Sequence, residues 1–220
     1  MASLADRVAA CEQCGLARTR TRAVAGDDAP GASVLLIAAA PSFPGELVGR
    51  ALSDEARDVL AKAGVDLADA AATTLVKCRP PAGRAPTEEE IAACRPYLEE
   101  QVAAQQPATV LALGATVLRA LAPTAPPFAT CHGHARPAAI GDHEVRLLPV
   151  LDPYAVAEVP SLQRQLAADL GTPLPEREPV TPSAETAAVQ PPEPAAEPGT
   201  AAAEPPPPAA DEPPPQLGLF

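Results

Sequence analysis

The chain has 220 residues and a formal net charge of −12, enough for one domain of the usual size, about 100 to 150 residues, with a remainder. From Pro173 onward stand 15 of the 30 prolines, 8 acidic residues and one basic residue, Arg177; such a stretch buries too little apolar surface to offset the entropy of ordering it, so residues 173–215 are expected to be a disordered linker. That tail carries −7 of the charge and leaves −5 on residues 1–172, which excludes an overall basic field that would hold the protein on nucleic acid by phosphate attraction alone.

In chain order, Val34 to Ala40 is a continuous apolar run ending at Pro41, which suits a strand buried on both faces. A loop follows, then a helix over 53–63 with Ser53 as N-cap and Gly64 closing it. A second strand is expected at 73–76, running into the proline turn Cys78-Arg79-Pro80-Pro81. Thr87 and Glu90 have capping-box spacing and open a helix to about Gln105 that carries Cys94. Strands at 109–113 and 145–151, a helix over 115–121 and terminal helices between Pro153 and Leu170 complete the pattern. Strands alternating with helices predict an α/β domain over residues 1–172, a three-layer α/β/α sandwich around a mainly parallel four-stranded sheet.

No apolar run approaches the roughly 20 residues that cross a bilayer, so a soluble, cytoplasmic protein with no membrane partner is expected. In a reducing compartment, closely spaced cysteines favour metal ligation over disulfides. Cys11 and Cys14 form a C-x2-C pair, and Cys78 and Cys94 flank a proline-rich turn. Four thiolates can hold a tetrahedral zinc or a cubane iron-sulfur cluster. Zinc sites usually present two short-spaced pairs and this chain has one, which favours iron and leaves zinc as the alternative. Cys131, in Cys131-His132-Gly133-His134, reads as part of a loop before a strand and is not assigned as a ligand. Arg18, Arg20 and Arg22 form one basic cluster, and Lys77, Arg79 and Arg84 another; both are candidate DNA contacts.

The segments Cys11-Glu12-Gln13-Cys14-Gly15-Leu16, Lys77-Cys78-Arg79-Pro80-Pro81 through Cys94, and Val110 to Gly114 resemble the iron-sulfur uracil-DNA glycosylases over about residues 8 to 170. The resemblance implies a four-iron four-sulfur cluster on Cys11, Cys14, Cys78 and Cys94, the three-layer fold, and hydrolysis of the glycosidic bond of a deoxyuridine flipped from the stack. The family's base-handling positions are altered. Its first motif, usually Gly-Glu-Ala-Pro-Gly, is Ala38-Ala39-Ala40-Pro41-Ser42, so Ala39 replaces the carboxylate that places the attacking water. The His-Pro that begins its second motif is Asp152-Pro153, and an ionised aspartate would forfeit about 2 to 4 kcal/mol of transition-state stabilisation. Thr74 stands for the asparagine that reads the base edge, and Leu52 for the aromatic that stacks on it. Glu46 is a possible substitute acid, acting through water, and Asp152-Pro153 also fits a helix N-cap followed by proline at the first helical position.

The last five residues, Gln216-Leu217-Gly218-Leu219-Phe220, resemble the bacterial sliding-clamp-binding pentapeptide; Gln216, Leu217, Leu219 and Phe220 match its pattern and Gly218 departs from it. A proline-rich tether of about 40 residues at about 3 Å each would let this peptide reach on the order of 100 Å. The resulting expectation is a DNA repair or damage-tolerance protein near the nucleoid, whose partners are DNA, the clamp and other repair or translesion factors, and which lacks ordinary uracil excision. Its rivals are an active glycosylase with a rebuilt pocket, acting on uracil or another damaged base, and a zinc-stabilised scaffold unrelated to DNA.

Overall fold

A computed structural model describes residues 2–159 and 161–171; the linker at 173–215 and the terminal peptide at 216–220 lie outside the described residues. The elements are α1 (Leu4–Ala9), β1 (Val34–Ala38), α2 (Phe43–Val48), α3 (Asp54–Lys62), β2 (Ala70–Thr74), α4 (Glu88–Gln105), β3 (Thr109–Leu113), α5 (Ala115–Leu121), α6 (Phe128–Cys131), β4 (Arg136–Ile140), β5 (His143–Val150), α7 (Pro153–Glu158) and α8 (Ser161–Leu170). Local chemistry fixes the helix starts. Thr87 and Glu90 form the expected capping box of α4, and Ser53 caps α3 by accepting from the Ala56 N–H. Asp152 caps α7 with Pro153 at its first turn.

The strands form one sheet in the order β2-β1-β3-β5-β4, parallel except for the β4–β5 pair. Residues on alternate sides of each strand feed two cores, as the period of a strand requires. Leu36, Leu111 and Leu148 pack towards α3, α7 and α8, while Leu35, Ile37, Val110 and Leu147 pack towards α4 and α5. The result is the expected three-layer α/β/α sandwich, with β1, β2 and β3 buried along their whole length.

Four features differ from the sequence expectation, the first being that Cys131 ends the short helix α6 where a loop was expected. The sheet has a fifth strand: β4 is half-exposed and carries Pro137, so it lacks the apolar run of a central strand, and it joins β5 through the tight turn at Gly141-Asp142. The second strand lies at 70–74, not 73–76, because Ala70 to Ala72, poor strand formers by propensity, are buried in register with Val34 to Leu36. The loop after β1 contains α2, whose Pro44 and Gly45 read as loop residues although Ser42 caps it through the Gly45 N–H. No helix among the described residues is long and apolar enough to cross a membrane.

Candidate metal centre and base-binding crevice

Three separate pieces of chain bring the cysteines together. Cys11 and Cys14 lie between α1 and the tight helical turn Gly15–Arg18, Cys78 follows β2, and Cys94 faces inward from α4. All four line one recess, whose walls include Val8, Ala17, Ala93 and Tyr97. Leu16 and Val76 pack with Cys78 and Cys94 in a small core of their own. Hydrogen bonds already point at the sulfurs: Lys77 N–H donates to Cys94 Sγ at 3.2 Å and Arg20 Nη1 to Cys78 Sγ at 3.3 Å. Burial pushes the Cys94 thiol up to about 11 and also raises Cys78, so both resist ionising without a cationic partner. Among the described residues, no three His, Cys, Asp or Glu side chains are gathered to hold a metal ion; the thiols line the walls of a recess rather than converging on a point. A polynuclear cluster, whose ligands stand around its corners, suits four sulfurs spread over apolar walls with N–H donors behind them.

The structure redistributes the six basic residues. Lys77 is 1% exposed, and its Nζ donates to Thr73 Oγ1, Thr74 O and Gln101 Oε1 at 2.5, 2.9 and 2.6 Å. It is therefore an internal strut and not a DNA contact, contrary to the sequence expectation; burial lowers its pKa to about 7. Arg20 likewise turns inward, donating to Cys11 O and Ala9 O at 2.8 Å as well as to Cys78. Arg84 is spent on a two-pronged pair with Glu90 at 2.6 and 2.8 Å. Arg18 and Arg22 are exposed, and the Arg79 guanidinium stands 5.4 Å from the centre of the Phe43 ring. Adjacent lysines and arginines cannot be sorted from sequence into struts and contacts; the acceptors that claim Lys77, Thr73 and Gln101, come from another strand position and another helix.

The strand order reverses between β1 and β3, and an open parallel sheet has its ligand crevice at the carboxyl ends of strands at such a point. Ala39 to Ser42, Thr74, Gly114 and Asp152 all lie at those ends. The side chains do not present a base-reading surface. Thr74 is fully buried and its hydroxyl donates inward to Val76 O at 2.8 Å. Leu52 is also fully buried and belongs to the core that holds Ala38, Leu113 and Val150. Asp152 Oδ1 accepts from Tyr154 N–H at 3.0 Å, and its Oδ2 lies over Gly114, where a Cβ would stand 3.5 Å away. Burial raises the Asp152 carboxyl above its ordinary value, partly offset by the Tyr154 N–H. Glu46 cannot swing into the crevice as it stands, contrary to expectation: it is 3% exposed and accepts from the Thr21 and Arg22 N–H groups at 2.8 and 3.4 Å. Ala39 carries no polar group.

Cys131 stays apart from the recess, packed under β4 and β5 with its Sγ 3.4 Å from Pro126 O. The sequence reading missed the pairing of His132 with the buried Asp169 of α8 at 2.9 Å, since 37 residues separate the partners and neither stands in a motif.

An open, mainly parallel sheet covered by helices on both faces defines the doubly wound class of α/β proteins, whose ligand crevice lies at the switch point. Residues 25–171 match the model of the uracil DNA glycosylase superfamily, and the chain belongs to that superfamily. It is 32% identical over 168 residues to a type-4 uracil-DNA glycosylase of Pyrobaculum aerophilum, covering 73% of this chain and 86% of that protein. Over 116 residues it is 35% identical to the type-4 enzyme of Saccharolobus solfataricus, and over 122 residues 33% identical to that of Thermotoga maritima. These two matches cover 50% and 54% of this chain and span 54% and 64% of the relatives. The matched model includes Cys78 and Cys94; Cys11 and Cys14 precede it.

Proposed function

We propose that this protein is a DNA-binding repair or damage-tolerance factor built on the uracil-DNA glycosylase fold, without ordinary uracil excision. The observation that carries the reading is the fate of the base-handling positions: Thr74 turned inward, Leu52 absorbed into the core, Asp152 used as a cap and Ala39 without a polar group. Hydrolysis needs a water placed at the sugar carbon, a donor for the charge that develops on the departing base, and space for that base. None of the four side chains supplies these while Asp152 is ionised.

In the same reading Cys11, Cys14, Cys78 and Cys94 hold a four-iron four-sulfur cluster. When bound, the cluster supplies a rigid joint between the N-terminal segment, the turn after β2 and α4. Lys77 N–H and Arg20 orient and neutralise its thiolates, and Leu16, Val76 and Tyr97 limit water. The terminal peptide Gln216 to Phe220 is read as a sliding-clamp ligand, which would keep the domain near replicating DNA.

One specific observation favours a second reading. The raised Asp152 carboxyl, when protonated, would present a donor in place of a repelling charge, so a rebuilt glycosylase would gain activity as pH falls. Purified protein incubated with single- and double-stranded oligonucleotides carrying uracil or deaminated adenine tests both readings, with abasic sites revealed by alkali. No cleavage from pH 5 to 8 is expected; products that scale with protein and vanish in Asp152→Ala would overturn the non-catalytic reading. Iron, sulfide and a visible absorbance band are expected from anaerobic preparations, and a colourless protein with one zinc would overturn the cluster. Clamp pull-down should be lost on deleting residues 216–220.

A further inference from the structure

Three of the four large apolar side chains that stand exposed among the described residues fall on one six-residue helix: Phe43, Leu47 and Val48 of α2 are 54, 50 and 64% exposed. Phe43 and Leu47 are one helical turn apart and share a face, which Val48 extends. Helix propensity does not require them there, and a solvated helix face ordinarily carries charge. The same helix starts at the crevice, directly after Ala39, Ala40 and Pro41.

Two cations frame this face, and among the described residues neither has an acidic partner at ion-pair distance. The Arg79 guanidinium lies 5.4 Å from the centroid of the Phe43 ring. Arg22 reaches the other end of α2, where its Nη1 would stand 2.9 Å from a Cβ on Gly49. The frame is fixed to the helix: the buried Glu46 of α2 accepts from the Thr21 and Arg22 N–H groups. On a domain whose charge is net negative, two arginines with no acidic partner among the described residues, one of them set over the Phe43 ring, make a distinct environment around an aromatic and two aliphatic side chains.

We propose that this face of α2 is a stacking platform for unpaired bases of single-stranded DNA, with Arg79 and Arg22 taking the flanking phosphates. The inference rests on the DNA-binding reading above and goes beyond it by naming the form of DNA and the surface. A full π-face is offered only by a base that has left the stack; a paired, stacked base presents its edges and backbone, on which a stacking platform gains little. Aromatic stacking with arginine contacts to the backbone is tolerant of sequence and sensitive to salt. The platform operates independently of excision, since it needs neither Asp152 nor Ala39.

Fluorescence anisotropy of the full, metal-loaded chain with a labelled oligo-dT and with a duplex of equal length tests this. The wild type should prefer the single strand. Phe43→Ala should weaken single-strand binding about ten-fold, and Leu47→Ser several-fold, with duplex binding unchanged. Phe43→Trp should retain or tighten it. Arg79→Gln should lower the salt dependence of single-strand binding by about 0.7 in the log–log slope. Unaltered circular dichroism and visible absorbance would show that the variants are folded. Single-strand binding that survives Phe43→Ala and Leu47→Ser together would overturn the platform and leave the DNA-binding reading standing. A wild type that binds neither oligonucleotide would overturn both. Loss of clamp capture in these variants, with single-strand binding intact, would assign the face to a protein partner and overturn the proposal.

Discussion

Leu52 decides whether the pocket is filled or open. It is completely buried and packs with Ala38, Leu113 and Val150, so shortening it leaves a cavity and lengthening it has no space to use. Leu52→Ala should cost about 2 to 5 kcal/mol. In a domain of this size each kcal/mol lowers the unfolding midpoint by about 2–4 °C, so a loss near 3 kcal/mol gives roughly 6–12 °C. Leu52→Phe, which restores the aromatic of the family pattern, should cost about 1 to 3 kcal/mol through overpacking, or roughly 2–12 °C. Thermal unfolding followed by circular dichroism, with uracil-containing oligonucleotide binding measured in parallel, reads both outcomes. If Leu52→Phe were neutral or stabilising and also tightened binding to uracil-containing DNA, position 52 would face an open base site and the filled-pocket argument would fail.

Arg20→Ala removes the guanidinium that ties Cys78 Sγ to the carbonyls of Cys11 and Ala9; it should speed loss of bound metal to a chelator about ten-fold or more, followed by visible absorbance. Thr87→Ala removes the N-cap of α4 and should cost about 1 kcal/mol, or roughly 2–4 °C in midpoint. Glu90 is held below the ordinary carboxylate value, first by the Arg84 hydrogen bonds. Its contribution is therefore complete above the unfolded value and is lost as pH falls through the lowered folded value, so Glu90→Gln should flatten the acid limb of a stability–pH profile while keeping a capping partner for Thr87. Asp152 has the opposite sign: its raised folded value makes stability fall as pH rises through the carboxylate range, and Asp152→Asn should remove that decline.

Much of the fold was legible because each helix boundary has its own local cause. Thr87 with Glu90, Ser53, Gly114 and Asp152-Pro153 mark starts that the backbone hydrogen bonds realise. The β4 strand escaped because an edge strand is held by its neighbour's backbone and needs few apolar side chains of its own. At the site, the cysteines were legible from spacing and chemistry, whereas the fate of Lys77, Arg20 and Glu46 was not. Each is a charged residue of ordinary surface type, and each is turned inward in part by a partner 24 to 58 positions away. The resemblance marks positions 52 and 74 as altered; only packing reveals that Leu52 and Thr74 lie in the interior.

The seam at the cysteine recess also sets an order of events. Residues 4–22 meet the rest of the domain through the recess, the Arg20–Cys78 bond, the Arg7–Glu100 pair and the Glu46 carboxylate, without joining the sheet. The sheet is held by its own ladders and two apolar cores. Opening of the N-terminal segment is thus a local transition, cheaper than melting the domain. Oxidative damage at the thiols would first release this segment like an unbuckled strap, moving Thr21 and Arg22 away from α2 while the sandwich stays folded.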